Sequence, residues 1–100
     1  KARVKVLTSH DKWYGVILSV AGSKLGLEDD NIIYVINLKS DPMLIGSLRG
    51  QKGYFPAYHM NKEKWISVLL GDAGLDEPIK NLLALSYELT APKKKKNTSK

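Results

Sequence analysis

The sequence predicts an α+β domain of two layers, in which about five antiparallel strands form a sheet and the helices pack on one of its faces. Two observations carry this prediction. Strand-like runs follow one another in hairpin pairs, and the clearest helix starts, Ser40-Asp41-Pro42 and Asp76-Glu77-Pro78, stand apart from those pairs. Separate hairpins and helices are typical of an antiparallel sheet that is covered on one face. The predicted element order is β-β-β-α-β-β-α.

The first two strands form the first predicted hairpin. Val4 and Val6 alternate with Arg3 and Lys5, which is the period of two expected of a half-buried strand. Residues 13–20 are rich in β-branched and aromatic side chains and predict the second strand. The polar residues 8–12 between them predict a five-residue connection.

Three further runs predict strands. Residues 32–38, after a loop over 21–31, are almost continuously apolar and indicate a central strand. Residues 54–59 and 65–70 form the second hairpin. Asn61-Lys62 is placed at its tip, because an asparagine side chain can bond to its own backbone two residues on.

Two helices complete the prediction. Asp41 or Ser40 can cap the first helix, and Pro42 suits its first position because a proline there loses no hydrogen bond. Gly50 ends that helix. Asp76 is predicted to cap the second one, whose apolar face is formed by residues at helical spacing: Leu75, Ile79, Leu82, Leu83, Ser86 and Leu89.

The net charge of +6 is concentrated at the C-terminus. Lys93–Lys96 and Lys100 supply five of the 16 basic residues, which leaves 11 basic against 10 acidic residues in positions 1–92. The sequence therefore predicts a nearly neutral domain over residues 1–92. Residues 93–100, which contain no apolar side chain, are expected to form a disordered basic tail.

Composition argues against several functions. There is no cysteine, so disulfides and thiolate chemistry are excluded and a cytoplasmic location is expected. The longest apolar run has about ten residues, too few for the roughly 18–20 that span a bilayer, so no membrane role is expected. Ser9, His10 and Asp11 are consecutive and cannot align as a catalytic triad. We expect no enzyme, no metal site and no cofactor.

The second hairpin tip leaves two interpretations open. His59 is expected to be partly buried and hydrogen-bonded to backbone, and Trp65 to belong to the core. Yet two lysines, Lys62 and Lys64, beside aromatic side chains are also the composition that meets phosphates and bases.

Three runs together resemble the MmcQ/YjbR-like family: INLKSDPMLIGSLRG at 36–50, GYFPAYHMNKEKWISVLL at 53–70 and DEPIKNLLALSYELT at 76–90. KWYGVILSV at 12–20 is similar to the family's second strand. The resemblance implies a two-layer fold similar to secretion chaperones, with two hairpins described as a double wing. It also implies a helical segment ahead of the first strand, whereas this sequence begins within three residues of that strand.

The family's description as DNA-binding leads to the first functional hypothesis, a non-enzymatic module whose two hairpin tips straddle a duplex. Basic residues would meet phosphates, and the tail would add affinity that is independent of sequence. The candidate nucleic-acid contacts are Arg3, Lys5, Lys12, His59, Asn61, Lys62, Lys64 and Trp65.

The alternative hypothesis is a protein- or small-ligand-interaction domain. In residues 32–38 both faces of the strand are mostly apolar, so the sheet face without helices needs a cover. A protein partner, a second copy of the chain or a preceding segment could supply that cover.

Overall fold

The computed structural model describes residues 4–91 as one antiparallel sheet with two α-helices. The sheet has the order β1-β2-β3-β5-β4. Two short 3-10 turns lie in the connections: Gly22–Leu25 follows the second strand, and Ala73–Leu75 precedes the second helix. The predicted α+β class and element order are confirmed. The elements are β1 (Val4–Ser9), β2 (Lys12–Ala21), β3 (Ile32–Lys39), α1 (Pro42–Leu48), β4 (Tyr54–Pro56), β5 (Trp65–Leu69) and α2 (Asp76–Thr90).

Both helices pack on the same face of the sheet, and the larger core lies between the two layers. Alternate residues of the central strands β3 and β5 point towards the helices, because side chains along a strand alternate between its faces. Ile45 of α1 and Leu82 of α2 meet them there. The sheet contributes Ile36, Leu38, Ile66 and Val68.

The second face of the sheet is covered by the chain itself, which corrects the expectation that it needs an outside cover. Leu25, Tyr58 and Met60 pack on this face against buried side chains of β2 and β3. Those side chains are Val16, Leu18, Val20 and Val35, each at most 6% exposed. The cover was not predicted because the segment between β4 and β5 folds back over the sheet instead of forming a tight hairpin tip.

A network of three hydrogen bonds holds that segment in place. Asn37 Nδ2 donates to Tyr58 O at 3.0 Å, and Tyr58 N donates to Ser67 Oγ at 3.1 Å. The Ser67 hydroxyl in turn donates to Asn37 Oδ1. Asn37 and Ser67 are both fully buried, and this network satisfies their side chains.

The β1–β2 connection is a two-residue turn, so the predicted five-residue connection is wrong. His10 and Asp11 have φ values of 55° and 64°, the combination of two positive φ angles found in a type I′ hairpin turn. The pairing shifts by one residue between Leu7 and Thr8, so Tyr14 is an extra residue in β2. The strands therefore continue through the polar residues that suggested a longer loop.

Three other predictions need correction. β4 ends at Pro56, not at residue 59, because His59 has a φ of 61° that an extended strand cannot contain. Asp76 is the first residue of α2 rather than its cap, and Leu89 is 52% exposed although it was placed on the apolar face. The predicted start of α1 is confirmed, since Asp41 Oδ1 accepts from Met43 N at 2.9 Å.

Candidate nucleic-acid interface

One end of the sheet brings together most of the candidate residues. β1 ends and β2 begins there, around the His10–Asp11 turn, and β3 ends there at Lys39, opposite Trp65 at the start of β5. The helix α2 also runs towards this end and stops at Thr90. We call it the tip end. Because α2 is followed by Ala91, the lysine run of the C-terminus continues in sequence from the tip end.

The β1–β2 hairpin extends past the rest of the sheet at the tip end. Its last residue paired with β3 is Gly15, opposite Leu38. The three residues before Gly15 therefore project by roughly 10 Å, at about 3.4 Å a residue. Lys12 and Trp13 lie on this projection, and Trp13 is 51% exposed.

The second candidate segment, residues 57–64, is built around Asn61. Asn61 Oδ1 accepts from Glu63 N at 2.8 Å, which confirms the predicted bond to the backbone two residues on. Asn61 O accepts from Trp65 N at 3.0 Å and closes the turn into β5. Lys62 Nζ donates to Ala57 O at 2.7 Å. An ammonium group has three donors, so this bond leaves Lys62 able to contact a phosphate.

His59 differs from its expected placement, whereas Trp65 lies in the core as expected. His59 is exposed rather than partly buried, and its ring packs beside Tyr58 with centroids 4.0 Å apart. Trp65 is 9% exposed and buried at the start of β5. A buried indole presents no free face to a base, so Trp65 does not belong to the candidate surface.

Of the remaining basic candidates, Lys5 is not at the tip end. Lys5 pairs with Ile17 and lies four residues before the end of β1, roughly 14 Å along the strand at about 3.4 Å a residue. Arg3 and the lysine tail lie outside the described residues.

The tip end contains two residues that the sequence did not single out, Lys39 and Trp13. Lys39 comes beside Lys64 only through the pairing of β3 with β5. Sequence spacing carries no signal for that long-range contact. Trp13 is exposed beside the one-residue shift in β2, which changes the alternation that sequence reading relies on.

The charges of the folded tip end are nearly balanced. Four lysines stand against four acidic side chains, Asp11, Asp41, Glu63 and Glu88 in the last turn of α2, and the Asp41 carboxylate caps α1. The lysines are Lys12, Lys39, Lys62 and Lys64. The sequence after Ala91, with five lysines and no acidic residue, therefore carries more basic charge than this whole surface.

Residues 4–91 contain neither a cluster of metal ligands nor a membrane-spanning helix. No group of three or more His, Asp or Glu side chains in this range could hold a metal ion. None of the helices described in this range is long and apolar enough to cross a bilayer.

A family model described as YjbR matches residues 2–89. The chain belongs to the YjbR family. One relative in this family is the uncharacterized protein YyaQ of Bacillus subtilis, 42% identical over 83 residues, which covers 83% of this chain and 70% of YyaQ. The uncharacterized protein YbdF of Escherichia coli O157:H7 is 44% identical over 57 residues, 54% of this chain and 45% of YbdF.

Solved structures show the same YjbR-family fold. A crystal structure of a protein from Pseudomonas syringae superposes with a TM-score of 0.82 at 41% identity, over 88% of this chain and 77% of that one. The protein DR2400 of Deinococcus radiodurans, described as a DUF419 domain, gives a TM-score of 0.56 at 24% identity. It covers 90% of this chain and 70% of its own, and it supports the fold alone.

Proposed function

We propose that this chain is a non-enzymatic DNA-binding module that contacts duplex phosphates through its tip end. The observation that carries the proposal is that three features lie at one end of the fold. They are a projecting hairpin, the 57–64 segment and the point from which the lysine tail continues in sequence. Lys12, Lys39 and Lys64 lie on three separate described segments at this end, which suits a polyanion better than a small ligand.

The spacing of the segments fits a duplex. β2 and β5 are two strands apart, which separates the projecting hairpin from Lys64 by roughly 10 Å at about 4.8 Å per strand spacing. The major groove of B-DNA is about 12 Å wide, so the two segments match neighbouring phosphate rows across it. Lys12, Lys39 and Lys64 would neutralise phosphates, and Trp13 would add an apolar contact. Such contacts position the protein without reading sequence.

The test measures fluorescence anisotropy of a labelled generic duplex with residues 1–100 and three variants at fixed salt. Lys12→Gln with Lys64→Gln is expected to weaken binding at least several-fold. Lys52→Gln, an exposed lysine before β4 at the opposite end, is the matched control and should leave the affinity unchanged.

A tail variant, Lys93–Lys96→Gln, completes the experiment. The proposal expects it to bind more weakly yet still to lose affinity further when Lys12 and Lys64 are changed. If the tail variant binds no duplex, or if Lys52→Gln matters as much as the tip-end lysines, the folded domain is not a DNA-binding surface.

A second candidate function is a protein-interaction domain, and exposed apolar side chains at the opposite end of the sheet favour it. Val4 and Ile32 are each 62% exposed, and Tyr34 is 47% exposed. These residues lie around the far ends of β1 and β3. Sedimentation velocity of the wild type and of Ile32→Ser with Tyr34→Ser tests self-association through this patch. A concentration-independent monomer for both would exclude a homodimer there.

A further inference from the structure

A groove at the tip end contains a polar group that the proposed DNA contacts do not explain. Its volume is about 320 Å³, and it lies between the end of β3, the start of α1 and the last turn of α2. Ser40 N donates to Lys64 O at 2.9 Å and so holds two segments that carry lysines side by side. The groove is lined by Lys39, Ser40, Asp41, Pro42, Lys64 and Leu89.

Ser40 has an unsatisfied hydroxyl group at this groove. The residue is 4% exposed, and its Oγ has no hydrogen-bond partner within residues 4–91. Buried side-chain oxygens are nearly always hydrogen-bonded, because an unsatisfied one costs free energy. The hydroxyl hydrogen rotates to meet an acceptor. A ligand in the groove that brings an acceptor oxygen would satisfy it.

The charges around Ser40 indicate the sign of such a ligand. Lys39 and Lys64 line the groove and each carries an ammonium group, and Asp41, which also lines it, carries a carboxylate. Asp41 Oδ1 already accepts the Met43 N–H bond that caps α1. The remaining positive charge favours an anion, and a compact anion with several acceptor oxygens can meet two lysines and a hydroxyl together.

We propose that this groove binds a phosphate group, with Lys39 and Lys64 pairing with its charge and Ser40 Oγ donating to one of its oxygens. Free phosphate and the phosphate of a nucleotide or DNA strand share this chemistry. The site does not depend on the DNA-binding proposal, because a phosphate ion would occupy it whether or not a duplex binds the tip end.

The experiment is an NMR titration of the ¹⁵N-labelled full chain with inorganic phosphate, against sodium chloride at matched ionic strength. The backbone amides of Ser40, Asp41 and Lys64 report on the groove separately from any phosphate held by the lysine tail. These amides are expected to shift saturably with phosphate and not with chloride. Ser40→Ala should weaken binding about tenfold, the usual worth of a hydrogen bond to a charged group.

Two variants control the titration. Lys39→Gln with Lys64→Gln should abolish the saturable shifts, and this pair keeps the test valid if Ser40→Ala fails to fold. Lys52→Gln should bind phosphate like the wild type. Equal shifts with chloride, or an unchanged affinity in the Lys39 and Lys64 double variant, would overturn the phosphate site.

Parallel titrations with a nucleoside 5′-monophosphate and with a short duplex separate the two proposals. If phosphate and the monophosphate bind while the duplex does not, the phosphate site stands and the DNA proposal fails. If the duplex binds through Lys12 while neither small ligand shifts the groove amides, the phosphate site fails and the DNA proposal stands.

Discussion

At the scale of single residues, Ser86 joins the sheet to α2 through one hydroxyl group. Its Oγ donates to Tyr14 O and accepts from Lys39 N at 3.0 Å. The pairing of β2 with β3 ends at Gly15, opposite Leu38, so Tyr14 and Lys39 lie one residue beyond it. The serine satisfies two backbone groups just past the end of that ladder. This explains why the buried face of α2 contains a small polar residue, Ser86, in place of an apolar one.

Ser86→Ala is therefore expected to lower the free energy of unfolding by about 1–3 kcal/mol, because two backbone groups lose their partner at a fully buried position. Urea denaturation measures the change. Ser47→Ala, an exposed serine on α1, is the control and should change the free energy by less than about 0.5 kcal/mol. Equal effects at the two serines would show that the bridging hydroxyl contributes nothing.

A comparison of Gly53 with Gly71 separates two effects of replacing a glycine, backbone strain and steric crowding. Both have positive φ, 88° and 93°, which an alanine adopts only at a cost of about 1–2 kcal/mol. A Cβ on Gly71 meets no atom within 4 Å, whereas a Cβ on Gly53 would lie 2.5 Å from Leu75 Cδ1. Gly53→Ala should destabilise the fold more than Gly71→Ala, by a further roughly 1–3 kcal/mol of overpacking. Thermal or urea unfolding that ranks them equally would contradict the crowding at Leu75.

Single residues also show where prediction from neighbouring residues in the sequence succeeds and where it fails. Asn61 forms the turn bond that its own chemistry predicts, because that bond reaches only two residues along the chain. The burial of Trp65 was expected, whereas the exposure of His59 was not. Whether an aromatic side chain is buried depends on which distant segment covers it, and their surroundings come from the fold of the 57–64 segment and the pairing of β5.

At the scale of elements, the segment between β4 and β5 belongs to the core as much as to the surface. Tyr58 and Met60 pack on the face of the sheet opposite the helices, and Asn37 anchors the Tyr58 backbone. An edge hairpin with an ordinary tight turn would leave that face uncovered. The folded-back segment thus protects the second face.

Asn37→Ala tests this anchor. It removes the donor to Tyr58 O and the acceptor for the Ser67 hydroxyl at a fully buried position, so unfolding should become easier by about 2–4 kcal/mol. Amide hydrogen exchange should also speed up at Tyr58 relative to the β2–β3 ladder. Asn81→Ala, exposed on α2, is the control. Unchanged exchange at Tyr58 would mean that packing alone holds the segment.

At the scale of the whole molecule, charge is divided between a nearly neutral fold and a basic terminus. The four lysines of the tip end are offset by four acidic side chains, while Lys93–Lys96 are followed only by polar residues and Lys100. Any affinity for DNA is therefore expected to have two parts. The tail supplies a part that depends steeply on salt, and the tip end supplies a part that depends on its geometry.

The salt dependence of duplex binding measures that division. Each neutralised phosphate steepens the slope of log K against log salt by about 0.9 on duplex DNA. Replacing Lys93–Lys96 by glutamine should therefore reduce the slope by up to about 3.6, if each tail lysine neutralises one phosphate. Lys12, Lys39 and Lys64 should leave a residual slope of about 2.7 in the tail variant. A residual slope of zero would assign all the binding to the tail.

The sequence by itself determined the element types, both helix regions, the α+β class and the family to which the chain belongs. The element types and the class follow from local physics: alternation of side chains, proline and aspartate at the start of α1, and glycine at turns act within a few residues. The family follows from the resemblance of three sequence runs. The nearly neutral balance of residues 1–92 could likewise be counted directly.

Only the tertiary structure decided which residues meet. The pairing of β3 with β5 brings Lys39 beside Lys64, and the one-residue shift in β2 breaks the alternation that would have placed Trp13. The Asn37 and Ser86 bonds join residues 21 to 72 positions apart. Such contacts form because buried polar groups must find partners wherever the packed chain supplies them, and no local window of sequence contains that choice.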